Sequence, residues 1–100
     1  MNIIITARKF KARDTLKDFI KAEVSSLQKF NDNILSADVI LSYQNNKDSK
    51  KTAEIVLHVP GQTMSATETS DEFEKSVSAA AEKLSRQLKK LKTKRLVRVK

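Results

Sequence analysis

The chain has 100 residues, of which 39% are hydrophobic, and this length suffices for one small domain but not for two cores. Lys and Arg number 20 against 12 Asp and Glu, which gives a net charge of +8, and cysteine is absent. This composition excludes disulfides, thiolate catalysis and cysteine-based zinc sites, and it favours a reducing compartment, so we expect the cytosol. No apolar run approaches the roughly 20 residues that cross a bilayer, so we expect no membrane span and no signal peptide.

The first third of the chain predicts a strand followed by a helix. A run of three isoleucines begins at Ile3 and is typical of a short strand, which we expect over about 2–7. Apolar side chains at 16, 19, 20, 24, 27 and 30 follow the spacing of one helical face. Asp14 suits the positive end of the helix dipole. We therefore predict a helix over 14–30, joined to the strand by a basic loop that Phe10 anchors in the core.

The middle of the chain predicts three antiparallel strands. Apolar residues alternate with polar ones near 37–44 and again over 54–59, with a polar hairpin loop at 45–50 between them. Pro60 and Gly61, the only proline and the only glycine, suit the central positions of a type II turn. A fourth strand around Met64 should therefore return antiparallel to the third. The alternation points Tyr43 inward, and it leaves a mixed outer face of Ile40, Ser42, Gln44, Glu54, Val56 and His58.

The last third of the chain predicts one long helix with two unlike sides. Thr69 has capping-box spacing to Glu72, and Ser70 is an alternative cap, so the helix should open there. Its apolar residues fall within an arc of roughly 100° that should cover the sheet. The opposite side carries Lys75, Lys83, Arg86, Lys89, Lys90 and Lys92.

These elements give the order β-α-β-β-β-α and an α+β fold class. The first two strands are joined through a helix and should pair in parallel. We expect a four-stranded sheet with both helices packed on one face. A single domain should span 1–95, followed by a flexible basic tail over 96–100.

The positive charge is concentrated in the last quarter of the chain. Residues 1–72 carry ten basic and ten acidic side chains, whereas 73–100 carry ten basic side chains and only Glu74 and Glu82 as acids. From Lys83 to Lys100 there are nine basic residues and no acid. Unpaired cations in such a block repel one another unless phosphates neutralise them, so we expect a polyanionic partner.

Few residues of this chain support catalysis. The single histidine, His58, lies in a strand and is better explained as an outward-facing surface residue than as a general base. Asp14 and Asp18 lack a further nearby metal ligand, and one glycine cannot build a phosphate-binding loop. We therefore expect no enzyme activity, metal, cofactor or small-molecule substrate.

DNA, RNA and an anionic membrane all satisfy the demand for a polyanion. The phenylalanines lie on predicted core faces, so base stacking is not expected, and the apolar residues of the second helix are needed by the sheet rather than by lipid. Binding should follow phosphate positions and backbone shape, which fits structured RNA. A general structured-RNA binder and a protein-interaction module that uses the outer sheet face stay open as alternatives.

Several segments together resemble one known family. They are Ile5-Thr6 before a loop, Leu16-x-x-Phe19-Ile20 and Leu27-x-x-Phe30 in the first helix, Leu57-His58-Val59 in the third strand, and the most specific stretch, from Lys83 to Lys94. In these segments the chain is similar to the short ribosome hibernation promoting factor family, also called ribosome-associated inhibitor or protein Y. Glu23 and Ser26 stand where relatives often carry lysines.

The resemblance implies a domain similar in layout to double-stranded RNA-binding domains. It implies a non-enzyme that lodges between head and body of the bacterial small ribosomal subunit and occludes the messenger RNA and transfer RNA sites. Translation then stops, and idle ribosomes are preserved in stationary phase or starvation. Long-form relatives add a second domain that dimerises ribosomes; self-dimerisation is not implied for this chain, and we expect a monomer.

The resemblance also implies which residues contact 16S ribosomal RNA phosphates. On matching positions these are Lys83, Arg86, Lys90, Lys92 and Lys94. Lys75 and Lys89 are added because they share the basic side of the helix, and Arg8 and Lys9 because the family's first loop approaches RNA.

Overall fold

The computed structural model describes the backbone of residues 1–44 and 47–98 and the side chains of 1–43 and 50–91. Four strands and two long helices follow one another in the predicted order. The elements are β1 (Asn2–Ala7), α1 (Asp14–Ser25), a 3₁₀ turn (Ser26–Lys29), β2 (Ser36–Gln44), β3 (Lys47–Val59), β4 (Gln62–Ser70) and α2 (Phe73–Arg98).

The strands form one sheet in the order β1-β2-β3-β4. β1 pairs with β2 in parallel, and the other two pairings are antiparallel. The register aligns Ile5, Val39, Ile55 and Ala66 in one row across the four strands. Because both helices pack on the face that carries this row, the predicted α+β architecture is confirmed.

The core lies between this sheet face and the helices. On α2, Val77, Ala80 and Leu84 are fully buried and Leu88 is 1% exposed, which confirms that the predicted apolar arc covers the sheet. α1 and the 3₁₀ turn contribute Ile20, Val24 and Leu27 to the same cluster. The burial of these side chains fixes the orientation of α2 about its axis, and hence which residues it exposes.

The first helix is shorter than predicted. It ends at Ser25, and the remaining residues of the predicted range begin with the 3₁₀ turn. The Ser26 hydroxyl donates to the Glu23 carbonyl oxygen at 2.6 Å, a contact that competes with regular helix. The apolar spacing of three at Val24, Leu27 and Phe30 equals the 3₁₀ period, so the turn keeps these side chains towards the core.

The two hairpins differ in how well the sequence predicted them. Gly61 has a φ of 87° in the turn between β3 and β4, which matches the predicted type II position. In contrast, β3 already begins at Lys47, so the predicted loop at 45–50 was too long. Backbone pairing of Gln44 with Lys47 continues the ladder there, and such pairing does not require apolar side chains. Residues 45 and 46 lie outside the described residues.

The predicted start of the second helix was wrong at Thr69. This residue lies in β4, where its hydroxyl is 2.9 Å from the hydroxyl of Thr52 on β3. The helix begins at Phe73, with the Glu72 carbonyl oxygen accepting from the Ser76 N–H at 3.1 Å. The alternative cap, Ser70, accepts from the Glu72 N–H at 3.3 Å. Thr69 is therefore part of the paired strand, although the capping-box pattern predicts it at the start of the helix.

A buried polar contact joins the first turn of α2 to β3. Ser76 is fully buried, and its hydroxyl donates to the Lys51 carbonyl oxygen at 2.7 Å and lies 2.8 Å from the Ser70 hydroxyl. At its other end α2 continues through Arg98, so its helical backbone includes part of the tail predicted over 96–100. Residues 99 and 100 lie outside the described residues.

The outer sheet face carries a mixture of apolar and polar side chains, as predicted. His58 faces outward there, with its Nε2 3.0 Å from Oδ2 of Asp38 on the neighbouring strand. Ile4 is 58% exposed on β1. Among the described helices, none has the length and apolar content that crossing a membrane requires.

Candidate RNA-binding surface

The basic side of α2 is exposed because its apolar side is held against the sheet. Lys83, Arg86, Lys89 and Lys90 are all exposed, and we call these four residues the α2 basic face. At 100° per residue, Lys83 and Lys89 at its two margins are separated by about 120° around the helix. The face is therefore a broad strip rather than a single row of cations.

Lys83 and Arg86 on this face are paired with acids. Lys83 forms an ion pair with Glu68 on β4, and Arg86 Nη2 lies 2.6 Å from Oε1 of Glu82, one turn earlier on α2. The charge pattern predicts that the nine cations from Lys83 to Lys100 are unpaired. This prediction was wrong for Lys83 and Arg86. The Arg86–Glu82 pair is solvent-exposed, and Lys83 is exposed although Glu68 is half-buried. Ion pairs at the surface are weak enough to be exchanged for phosphate contacts.

The other two cations differ in their surroundings. The Lys89 ammonium lies 5.1 Å from the ring centroid of Phe30, so Lys89 leans towards the 3₁₀ turn, whereas Lys83 leans towards β4. Lys90 is exposed between these margins, and within the described part of the chain it has no acidic partner.

An interhelical contact supports the orientation of α2. The Ser78 hydroxyl donates to Oε1 of Glu23 on α1 at 2.5 Å. The family resemblance had implied a lysine at the position of Glu23. Its carboxylate therefore serves to join α1 to α2 here, and no phosphate contact is assigned to it.

Lys75 lies near the start of α2 and is paired with Asp71. Its Nζ donates to Oδ1 of Asp71 at 3.2 Å. This hydrogen bond and the accompanying charge attraction lower the pKa of Asp71, and the same contact raises the pKa of Lys75. Both groups therefore stay charged at neutral pH, so Lys75 must leave Asp71, or share it, to contact a phosphate.

Replacing Lys75 with Gln is expected to raise the pKa of Asp71 back towards its ordinary range. A lowered pKa in the folded state adds stability above that pKa, and this contribution is lost as the pH falls through it. The K75Q variant should therefore be slightly less sensitive to acid than the parent. An NMR titration of the Asp71 carboxyl carbon measures the shift directly, and an unchanged midpoint in K75Q would show that the pair has no effect.

Arg8 and Lys9 lie near the beginning of α2, away from the α2 basic face. They follow β1, where the Arg8 N–H donates to the Leu41 carbonyl oxygen at 2.9 Å and Lys9 has a φ of 64°. The next residue, Phe10, stacks on Phe73, the first residue of α2. Since Lys83 follows Phe73 by ten residues, about 15 Å of helix separates the two groups of cations.

Seven of the nine predicted contact residues have described side chains, and these seven fall into two groups. The structure brings Lys83, Arg86, Lys89 and Lys90 together on α2, and it places Arg8, Lys9 and Lys75 near the beginning of that helix. Lys92 and Lys94 continue the helical backbone, but their side chains lie outside the described residues.

Sequence reasoning missed an aromatic cluster at the beginning of α2. Phe10 and Phe73 stack with ring centroids 5.0 Å apart, and Tyr43 meets both rings edge-on at 5.1 and 5.5 Å. Tyr43 lies on the inner sheet face, as its alternation predicted, but it remains 37% exposed. The available signals were a helix start and a loop in which Lys and Arg flank an aromatic residue. They did not show the cluster, because the three rings come from distant positions in the chain.

The described residues also bear on catalytic and metal chemistry. Among them, no group of three metal-ligating side chains lies together. His58 pairs with Asp38 on the outer sheet face, away from the α2 basic face, as expected of a surface histidine. The arrangement of α2 supports binding of an extended anion.

Comparison with known proteins identifies relatives over nearly the whole chain. A family model described as sigma 54 modulation protein / S30EA ribosomal protein matches residues 3–96. A ribosome hibernation promoting factor from Azotobacter vinelandii is 30% identical over 98 residues, which cover 98% of this chain and 89% of that protein. A ribosome hibernation promotion factor from Deinococcus radiodurans is 26% identical over 91 residues, 89% of this chain. The match covers 48% of the latter protein, so the chain spans about half its length.

Solved structures share the same fold. The N-terminal domain of Thermus thermophilus protein Y superposes with a TM-score of 0.80 at 26% identity, covering 91% of this chain and 99% of that one. A ribosomal subunit interface protein from Coxiella burnetii gives a TM-score of 0.84 at 26% identity, covering 93% of this chain and 99% of that one. With the family model matched over 3–96, these relationships show that the chain belongs to the sigma 54 modulation protein / S30EA ribosomal protein family.

Proposed function

We propose that this protein is a ribosome hibernation factor that binds the small ribosomal subunit through the α2 basic face. It lodges between head and body of the subunit, occludes the messenger RNA and transfer RNA sites, inhibits translation and preserves idle ribosomes during stress or stationary phase. The protein acts in the cytosol as a monomer and performs no catalysis. One observation carries the proposal: α2 is held by its buried leucines while four exposed cations occupy the opposite side.

The geometry of α2 supports a phosphate-binding role. A helix whose apolar side is fixed in a core presents its cations on a rigid support, so little ordering is needed when they meet a charged backbone. Lys83, Arg86 and Lys90 are all exposed, so each of these three cations can contact a phosphate oxygen. Binding through phosphates and shape suits a folded RNA such as 16S ribosomal RNA.

The names of the relatives support the ribosome as the partner of this surface. Two curated proteins that match most of the chain are named for ribosome hibernation, and the Coxiella structure is named for the subunit interface. An RNA-binding face at the interface of the two subunits would block the path of messenger RNA and transfer RNA by occupying it. A mechanism by occlusion needs no catalytic residue.

Ribosome profiles and translation assays together test this proposal. We expect the protein to co-sediment with small subunits in a sucrose gradient and to lower the yield of in vitro translation as it saturates them. Competition with bulk duplex RNA separates this function from general RNA binding. A ribosome-specific factor stays bound at duplex concentrations that release a general binder, and release at such concentrations would contradict the proposal.

Removing the acid that holds Arg86 is expected to strengthen small-subunit binding. In Glu82→Gln the Arg86 guanidinium no longer has to leave a carboxylate before it contacts a phosphate. An exposed ion pair of this kind contributes about 0.2–1 kcal/mol. We therefore expect affinity to rise by roughly 1.4- to fivefold in a filter-binding assay at low salt. Asp18→Asn removes the same charge from an exposed position on α1 without touching Arg86 and should change affinity less. Equal effects of the two variants would attribute the gain to net charge alone.

A further inference from the structure

A cavity of about 430 Å³ opens where α2 begins, ahead of the residues that form its basic face. This volume falls within the roughly 300–1,000 Å³ of typical ligand pockets. Phe10, Tyr43 and Phe73 line it together with three cations and one acid. We call this site the aromatic pocket.

The aromatic rings leave part of their surface open to the pocket. Phe73 is the buried member, 6% exposed, and Phe10 stacks on it with only 12° between the ring planes. Tyr43 is 37% exposed and stands edge-on to both rings. A ligand in the pocket therefore meets Tyr43 and Phe10, which the buried Phe73 holds in place.

Cations surround this aromatic wall. Lys11 and Arg13 are exposed at the pocket, and the Lys51 ammonium lies 6.0 Å from the Tyr43 ring centroid while donating to the Asp71 carbonyl oxygen at 3.1 Å. Glu74 is the only acid among the lining residues described. Its carboxylate can accept hydrogen bonds from hydroxyl or amino groups but repels phosphate, so an anionic group should bind on the side of Lys11 and Arg13.

We propose that the aromatic pocket binds one unpaired nucleotide of single-stranded RNA. The base packs on Tyr43 and Phe10, the phosphates on either side of it pair with Lys11 and Arg13, and Glu74 accepts a hydrogen bond from a ribose hydroxyl or a base amino group. Exposed rings beside cations are the chemistry by which proteins hold unpaired bases. The site extends the proposed function, which requires only phosphates and backbone shape at α2, and it stands apart from that surface by about 15 Å of helix.

Tyrosine fluorescence provides a local test. Tyr43 is the only tyrosine and the chain has no tryptophan, so the intrinsic emission reports on this pocket alone. Titration with octauridylate is expected to quench this emission to a plateau, and an RNA duplex of the same length should quench it far less. Absence of quenching at octauridylate concentrations that saturate binding would overturn the proposal.

Paired variants test stacking and phosphate contact separately. With a labelled octauridylate followed by anisotropy, Tyr43→Leu should bind roughly tenfold or more weakly, whereas Tyr43→Phe, which keeps the ring, should bind like the parent. The surface double variant Lys11→Gln with Arg13→Gln should lower the log–log salt slope by about 1.4, which is 0.7 for each phosphate contact with a single strand. The proposal fails if the leucine and phenylalanine variants bind alike or if the double variant keeps the parent's slope.

A variant of the α2 basic face separates this inference from the proposed function. Replacing Lys83, Arg86 and Lys90 with Gln should leave the quenching of Tyr43 by octauridylate intact, whatever it does to small-subunit binding. If quenching disappears in that variant, single strands bind at α2 and the pocket proposal is wrong, while the proposed function stands. If quenching persists and small-subunit binding is also unchanged, the α2 basic face is not the ribosome-binding site. The pocket proposal still stands in that case.

Discussion

Replacing Lys83, Arg86 and Lys90 with Gln is expected to abolish most of the affinity for small ribosomal subunits. Each phosphate contact adds roughly 0.7–0.9 to the log–log salt slope, so the slope should fall by about 2 to 3. At 0.1 M salt, one decade below 1 M, a slope change of 2 to 3 corresponds to a loss of affinity on the order of 100- to 1,000-fold. Because Lys83 and Arg86 first leave Glu68 and Glu82, the loss should lie at the lower end of that range.

A charge-matched variant shows whether position or net charge matters. Lys17, Lys21 and Lys50 lie outside α2, and replacing all three with Gln removes the same charge from the chain. We expect this control to keep most of the affinity when both variants are compared by co-sedimentation at several salt concentrations. A control that loses as much slope as the α2 variant would contradict the assignment of the binding surface.

Truncating Leu84 should have the largest effect on stability. Its side chain is fully buried where α2 packs on the sheet, and Leu→Ala at such a site costs about 2–5 kcal/mol through lost transfer free energy and the cavity left behind. Small domains are stable by only about 5–15 kcal/mol, so much of the free energy of unfolding would be lost. Urea denaturation followed by circular dichroism measures this difference.

Leu91→Ala is the matched control for this truncation. Leu91 lies on the same apolar side of α2 but is only half-buried, so its removal should cost clearly less. If Leu84→Ala cost less than Leu91→Ala, the leucines of α2 would not anchor it as described. The α2 basic face would then lack the rigid support on which the proposed function depends.

The fold was predictable because its signals are local. The alternation in β2 and β3, the single Pro60-Gly61 turn and the apolar arc of α2 each follow from neighbouring residues, and the structure confirms them. The same periodicity showed which cations of α2 face away from the sheet. The errors were also local: a capping-box pattern at Thr69 was outweighed by strand pairing, and a spacing of three near Val24 belonged to a 3₁₀ turn.

Contacts between distant positions could not be predicted in the same way. The ion pair of Lys83 with Glu68 depends on which flank of α2 lies beside β4. The aromatic pocket brings together Phe10, Tyr43 and Phe73 from a loop, a strand end and a helix start. Each residue has a reasonable local explanation, and only the packing of the elements shows that they form one site.

Directed hydroxyl-radical probing tests the central claim most directly. The chain has no cysteine, so a single Glu82→Cys variant carries an iron chelate at one place beside the α2 basic face, and Thr6→Cys carries it on the outer face of β1. Bound to small subunits, the chelate at position 82 should cleave 16S ribosomal RNA strongly between head and body, and the chelate at position 6 should cleave there weakly. Strong cleavage from position 6 with none from position 82 would show that another surface of the protein faces the ribosome.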